Sequence, residues 1–476
     1  MIAPRSNLLW WAGGCLVPLS LAAAAYPDQA ALAWTGAALL MLVPVLDALW
    51  ARRSLRGLEV GLPELVRLTK DVEGDIDVRI LNKSGVRRRI RLAVSLPMEL
   101  GCRRDDQKID LPADAEWSSI SMGCFPSRRG SYQIGPCYLG ATTPLGFWMK
   151  RKTAPVEAEV RVYPNLLGER RRLAGVFLTR GTFGIHAQRQ IGQGRDFEKL
   201  REYVHGDSYG EIHWKATAKR GRPVTKVFQL ERTQEVYVVV DSSRLSAPLW
   251  PMPAPAGAPA PATETDGEKS RMSPFSDFSD GERRFESTTL ERFITAALVL
   301  GMVAETQGDL FGVMSFSDRV DRFVRARNGK AHYRACREAL YALQPTTVSP
   351  DFSELFSFIR LRMRRRALLV FLTSLDDPIV AEQFADNVSL IARHHLILVN
   401  MIQPPDVRPL FAGGGDDVTE GDDIYRHLGG HLQFARLREI EKTLHRLGVR
   451  LRLVENESLC PQLVSQYVNV KRRQLL

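Results

Sequence analysis

With 476 residues, 45 % apolar and 25 % charged, the chain is long enough for two or three folded domains, and its composition excludes a fibrous or wholly disordered protein. The net charge of +11 is uneven: residues 51–234 carry 34 Lys and Arg against 21 Asp and Glu, whereas residues 1–50 and 235–476 each sum to −1. The six cysteines (15, 102, 124, 137, 336 and 460) include no C-x-x-C and the nine histidines no H-E-x-x-H, which excludes a zinc site of ordinary spacing and reads as buried or free thiols in a reducing compartment.

Asn7 to Ala25 is a run of nineteen residues without a charge; "YPDQA" follows as a short polar turn, and a second apolar run extends from Ala30 to Leu46. At about 1.5 Å rise per residue, each run is near the length that crosses a bilayer. Trp10, Trp11, Tyr26 and Trp50 sit near the ends of the runs, where amphipathic rings favour the interface. Arg5 precedes the first run, and Arg52, Arg53 and Arg56 follow the second. The positive-inside rule then predicts a two-pass membrane protein, residues 1–56 forming the helical hairpin, with both termini and the bulk in the cytoplasm. A secretory signal peptide ending at "LAAAAY" is the alternative for the first run. Even then the second run and its arginines would act as a stop.

From residue 57 to 165 short alternating stretches ("DIDVRILN", "RIRLAVSLP", "YQIGPCYLG", "EAEVRVYP") are separated by turn residues. This pattern predicts an all-β, immunoglobulin-like sandwich of roughly seven strands. Residues 166–234 read as a connecting region. At Glu235 the character changes. "EVYVVVDSS" is the continuous apolar run of a buried parallel strand, and strands and helices alternate from there to residue 476, predicting a mostly parallel, Rossmann-like α/β domain. A Pro-rich insert at 246–283, with six prolines between Pro248 and Pro261, reads as disordered.

Open parallel sheets bind ligands outside the carboxyl ends of their strands, which points to Asp241–Arg244 and Thr373–Asp377. Asp241 and Ser243 offer a carboxylate and a hydroxyl that suit Mg²⁺; the alternative is that they cap the next turn. "GQGRD" lacks the spacing of a nucleotide loop, and no G-x-S-x-G elbow occurs. A hydrolase using Ser, Asp and His groups at the strand ends stays open, because such groups assemble in space. So does nucleic-acid binding by the basic 51–234 segment, centred on Lys215, Lys219, Arg220 and Arg222 beside Trp214. Against the latter, Glu198, Glu202, Asp207 and Glu211 interleave with these cations. Mutual ion pairing in a folded bracket, with Asp207 and Lys215 as partners, accounts for both signs.

The stretch "GRDFEKLREYVHGDSYGEIHWKATAKRGRPVTKVFQLER", followed by "YVVVDSS", resembles the signature of a bacterial family labelled domain of unknown function fifty-eight. Gly194, Phe197, Leu200, Arg201, Tyr203, Gly206, Asp207, Ile212, Trp214, Lys215 and Ala218 all fit its pattern. The likeness extends to the two apolar runs, to "RRGSY" and "TPLGF", and to the α/β end. The resemblance implies a von Willebrand factor A-like domain and a MoxR-type AAA+ ATPase as partner, in protein assembly or maturation, with no catalysis by this chain. It also implies a degenerate metal-dependent adhesion site for Mg²⁺. Asp241 and Ser243 match that site, Leu245 replaces its second Ser, and Thr347 and Ser349 are the nearest hydroxyls to its Thr. Ser374 stands at its usual Asp position, with Asp376 two residues away as a candidate ligand. The insert would hang over this face.

Overall fold

The computed structural model describes residues 2–26, 30–51, 54–102, 106–113, 117–179, 191–205, 207–229, 234–252, 285–404, 406–410 and 421–473. The chain divides into two compact units, the first covering Met1–Asn165 and the second starting at Leu166.

The first unit opens with a short strand β1 (Ile2–Pro4) and two helices, α1 (Ser6–Ala25) and α2 (Ala30–Ala51). Both helices are long and apolar enough to cross a membrane, and their large side chains face outward: Leu9 is 74 % and Trp10 81 % exposed. Ten strands follow: β2 (Leu58–Gly61), β3 (Leu65–Thr69), β4 (Gly74–Asn82), β5 (Arg88–Val94), β6 (Asp106–Leu111), β7 (Trp117–Cys124), β8 (Gly130–Ile134), β9 (Cys137–Thr142), β10 (Trp148–Ala154) and β11 (Ala158–Tyr163). They pair as β1-β10-β9-β5-β6, β2-β4-β7 and β3-β11-β8. Period-two alternation places Ile76, Val78 and Ile80 of β4, Ile90 and Leu92 of β5 and Val160 and Val162 of β11 in one shared core. Each such side chain contributes roughly 1.5–3 kcal/mol by leaving water. The cysteine reading needs one correction: Cys102 and Cys124 form a disulfide, brought together by an antiparallel bridge between their backbones, while Cys137 is a buried free thiol.

The second unit begins with α3 (Leu167–Thr179), a long strand β12 (Ile191–Glu202), α4 (Trp214–Arg220) and β13 (Val224–Gln229). Then come β14 (Glu235–Asp241), β15 (Leu249–Met252), β16 (Phe285–Thr288), α5 (Thr289–Thr306), β17 (Leu310–Phe316) and β18 (Val320–Arg327). The chain continues with α6 (Lys330–Leu340), α7 (Phe352–Arg362), β19 (Leu368–Leu372), α8 (Pro378–Ala392), β20 (Leu396–Ile402), α9 (Gly421–Arg446), β21 (Arg450–Val454) and α10 (Leu459–Arg472). Six strands make one sheet in the order β18-β17-β14-β19-β20-β21. All neighbours run parallel except β18, which pairs antiparallel at the edge.

Helices cover both faces. Val236, Val238 and Val240 point from β14 into a core with α5 and α10, whereas Tyr237 and Val239 point the other way, into α7 and α8. That two-sided burial is why β14 reads as an unbroken apolar run. Gly312 in β17 makes room for it: an added Cβ would stand 2.6 Å from the Tyr237 ring. Helix starts carry their own signals. Asp351 and Thr288 accept N–H bonds ahead of α7 and α5, and Asp377 does so ahead of α8, where Pro378 opens the helix.

The connecting region is tied into the second unit. Glu169 of α3 is buried and accepts from Arg292 of α5 at 3.1 Å, while Arg292 also donates to the side chain and carbonyl of Asn456 at 2.8 and 2.6 Å. Leu249–Met252, inside the stretch expected to be disordered, instead pairs antiparallel with Phe285–Thr288 as a ribbon. The rest of the insert lies outside the described residues.

Candidate functional site

In this sheet the chain steps from β14 to β17 on one side and later to β19 on the other, so the order reverses between β14 and β19. The carboxyl ends of those two strands form the crevice where α/β sheets bind ligands. Asp241 ends β14 and is fully buried. Its Oδ1 accepts from the Ser243 N–H at 2.8 Å, and its Oδ2 from the Thr373 hydroxyl at 2.5 Å. Burial pushes the Asp241 pKa up, against the hydrogen bonds from Ser243 and Thr373 that pull it down.

The neighbouring groups are satisfied in the same inward manner. The Ser242 hydroxyl lies 2.8 Å from the Phe316 carbonyl and 3.2 Å from Asp321 Oδ2. The Ser243 hydroxyl accepts from the Leu245 N–H at 3.3 Å, and the Ser246 hydroxyl donates to the Ser243 carbonyl at 2.8 Å. Thr346 donates both its N–H and its hydroxyl to the Ser242 carbonyl, at 2.8 and 2.9 Å. Arg244 extends from this knot to Ser349 at 2.9 Å and to Asp377 at 3.4 Å.

A hard cation of Mg²⁺ size wants about six oxygens in near-octahedral array. Asp241 is the carboxylate buried between the two strand ends, and both its oxygens already accept protein hydrogen bonds; Asp321 is taken up by the Ser242 and Ser317 hydroxyls and Asp377 by Arg244. Ser374, at the position of a second carboxylate, donates instead to Asp376 at 2.9 Å, and Asp376 is exposed. Among the described residues no group of three or more His, Cys, Asp or Glu side chains gathers. As arranged, the crevice does not fit a cation. It reads as a hydrogen-bonded lock between β14 and β19. Ser242 bonds to the Phe316 carbonyl and the Asp321 carboxylate and Ser243 to the Leu245 N–H, so no histidine is a hydrogen-bond partner of either hydroxyl among the described residues. Thr373 falls in the strand-end stretch the sequence points to, but its bond to Asp241 was not foreseen, and Thr346 was missed. The signal for Thr373 was its place at the end of the strand that turns out to flank β14.

The signature stretch forms a hairpin. β12 and β13 pair antiparallel, with Phe197 opposite Phe228, Leu200 opposite Lys226 and Arg201 opposite Thr225. α4 sits in the connection, started by the His213 ring accepting from the Ala216 N–H at 3.0 Å. Gly194 lies within β12, and Gly206 falls outside the described residues. Ile212 is buried, Leu200, Arg201, Tyr203 and Asp207 are half-buried, and Lys215 and Ala218 are exposed. Asp207 is the polar centre: it accepts from Arg201 at 2.6 Å, from the Val204 N–H at 3.1 Å and from the Thr225 hydroxyl at 3.2 Å. The Val204 N–H first, then the Arg201 charge and the Thr225 and Arg201 hydrogen bonds, hold the Asp207 carboxyl below its usual range.

The expected pairing of Asp207 with Lys215 does not form, because those three groups occupy its oxygens and the Lys215 side chain is on the exposed side of α4. Arg222 pairs with Glu202 at 2.5 Å, so internal ion pairing does take up part of the basic run. Two rings stay outside: Tyr209 is 76 % and Trp214 67 % exposed, Tyr209 lying tilted against Tyr203 with ring centroids 6.3 Å apart.

The profile of the family described as "Protein of unknown function DUF58" matches residues 199–247 and 272–413. No curated protein matches the chain. Among solved structures, the CARDB domain of a Pyrococcus furiosus protein, in complex with di-metal ions, is 15 % identical; the match covers 22 % of this chain and 89 % of that one, with a TM-score of 0.15. A protein of unknown function from Porphyromonas gingivalis W83 is 18 % identical over 23 % of this chain and 49 % of its own, with a TM-score of 0.17. A C. elegans member of the MSP family is 12 % identical over 21 % of this chain and 97 % of its own, with a TM-score of 0.15.

Proposed function

We propose, from the premise that the chain belongs to the family of proteins of unknown function DUF58, that it is a membrane-anchored, non-enzymatic adaptor. In this reading α1 and α2 form a two-pass anchor in the inner membrane. The β-unit is an immunoglobulin-like domain at the cytoplasmic surface, where the Cys102–Cys124 pair would be kept reduced, and the α/β unit is a von Willebrand factor A-like domain that docks a MoxR-type AAA+ ATPase during protein assembly or maturation. Arg5 before α1 and Arg56 after α2 support the cytoplasmic assignment. The sheet order β18-β17-β14-β19-β20-β21, with a single antiparallel edge strand and helices on both faces, supports the von Willebrand factor A-like one. Lys and Arg of residues 51–234 would hold the protein against the anionic leaflet, at about 1 kcal/mol for each that reaches it.

The observation that carries the adaptor reading is the contrast between a closed crevice and an open hairpin. Asp241, Ser243 and Thr373 are locked together and fully buried, so a partner has to be met by exposed side chains. Tyr209 and Trp214 stand exposed within the signature stretch, which also exposes Lys215, Lys219 and Arg220, a composition that suits aromatic anchors in a charged rim. Co-purification from native membranes tests the reading. The wild-type chain is expected to bring down the ATPase, and Asp241→Asn to do the same, whereas Tyr209→Ala/Trp214→Ala loses it. Equal recovery with all three chains would count against docking through the hairpin.

A further inference from the structure

The N-terminal hairpin is fastened to β10. β1 pairs with it, Ile2 opposite Lys150 and Pro4 opposite Trp148, and the Trp148 indole donates to the Pro44 carbonyl of α2 at 2.8 Å. In the turn before β10, Thr143 donates to Asp47 of α2 at 2.5 Å, and the Leu145 N–H lies 3.4 Å from the same carboxylate. Asp47 and Pro44 precede the end of α2 at Ala51 by roughly 6 and 10 Å of helix rise. The turn at 143–148 therefore lies alongside the last turns of an apolar helix, with Leu145 56 % exposed.

Positive charge collects at the same level. Arg88 of β5 donates through Nη1 to the carbonyls of Ser54 and Arg56, at 2.6 and 3.2 Å, and Lys152 of β10 donates to the Leu58 carbonyl at 2.8 Å. Two cations thus grip the first residues after α2. Lys150 is two residues from Lys152 on the same face of β10, and burial first, then Arg56, Lys152 and Arg88, lower its pKa. Elsewhere on this sheet arginines are matched to carboxylates across strands, as in Arg89–Asp110 and Arg91–Asp106. Arg56, Arg88 and Lys152 have no carboxylate partner among the described residues, and Arg88 makes its two carbonyl bonds through Nη1. The Nε and Nη2 donors of a guanidinium are the pair that takes phosphate oxygens together.

We propose that Arg56, Arg88, Lys150 and Lys152 form a binding site for the phosphate headgroup of an anionic phospholipid, at the depth where α2 leaves the hydrocarbon. Trp148 at the interface and Leu145 toward the acyl chains complete it. The proposal rests on the reading that α1 and α2 span the membrane. An anionic lipid brings uncompensated phosphate charge to the four cations, whereas phosphatidylcholine brings its own cation.

The test uses the full-length protein in mild detergent with equal amounts of phosphatidylglycerol and phosphatidylcholine, the retained lipid being counted by native mass spectrometry. Wild type is expected to retain phosphatidylglycerol preferentially. Lys150→Gln/Lys152→Gln should weaken it by roughly 25-fold, at about five-fold for each charge near the surface, and Lys150→Gln, which leaves the carbonyl clamps in place, by about five-fold on the same basis. Arg89→Gln/Arg91→Gln should leave retention unchanged, and circular dichroism should match throughout. Equal retention of both lipids by wild type, equal loss in site and control variants, or displacement of the lipid by inorganic phosphate at equal concentration would each overturn the lipid site. Loss of the wild-type chain from carbonate-washed membranes would instead fail the anchor reading, which separates the two.

Discussion

Replacing Asp241 by alanine removes the acceptor for two buried donors, the Thr373 hydroxyl at 2.5 Å and the Ser243 N–H at 2.8 Å. Each stranded buried donor costs about 1–3 kcal/mol. Relief of the desolvated carboxylate offsets part of that, so a net loss of about 2–4 kcal/mol is expected. For an α/β domain of this size that lowers the melting temperature by roughly 5–15 °C, read from thermal unfolding of the full-length protein in detergent. Asparagine keeps the shape, an acceptor for Ser243 and a group facing Thr373, so Asp241→Asn should stay within about 1 kcal/mol. The pH dependence separates a lock from a free carboxylate. Because burial raises the Asp241 pKa in the folded state, its contribution to stability is fully present below the unfolded carboxyl value of about 3.9 and is lost as pH rises through the raised folded value. Relative to Asp241→Asn, wild type should therefore lose stability as pH rises from the ordinary carboxylate range. Melting of Asp241→Ala at the wild-type temperature, or parallel pH curves for wild type and Asp241→Asn, would refute the lock.

Two further outcomes follow from the same packing. Arg292→Met leaves the buried Glu169 carboxylate with only the longer Arg172 contact at 3.8 Å and should cost about 3 kcal/mol, with Arg292→Met/Glu169→Gln recovering most of it in the same melting assay. Saturating Mg²⁺ should leave the melting temperature unchanged; a real site at a hundred-fold excess over Kd would add about 2.7 kcal/mol.

Local signals in the sequence survived into the structure where a residue's neighbours are its chain neighbours or where burial is uniform. The apolar run at 235–241 is β14 because both of its faces are covered, and Asp377-Pro378 marks the start of α8 because capping and the fixed proline φ act within one turn. Contacts made across long stretches of chain were not legible. The ribbon of β15 and β16 joins Leu249 to Thr288 across the Pro-rich insert, and no composition rule reports a pairing at that distance. Cys102 and Cys124, 22 residues apart, show no spacing that marks a bridge.

The site divides the same way. Asp241 and Ser243 were visible as short polar residues after a strand, but the group that closes on them, Thr373, is 132 residues away. Its role depends on β19 lying beside β14, which strand order alone decides. In the signature hairpin the charges of Asp207 and Lys215 were legible and their pairing was not. Register sets Arg201 opposite Thr225 and brings both to Asp207, while α4 turns Lys215 outward.

The affinity of the purified full-length chain in detergent for a purified MoxR-type ATPase tests the adaptor claim most directly. Saturable binding is predicted for wild type and for Asp241→Asn. Tyr209→Ala/Trp214→Ala should weaken it by about 30-fold or more, as expected when exposed aromatic anchors worth about 2 kcal/mol are removed. No measurable complex with wild type, or the same Kd for wild type and the double variant, would contradict the account.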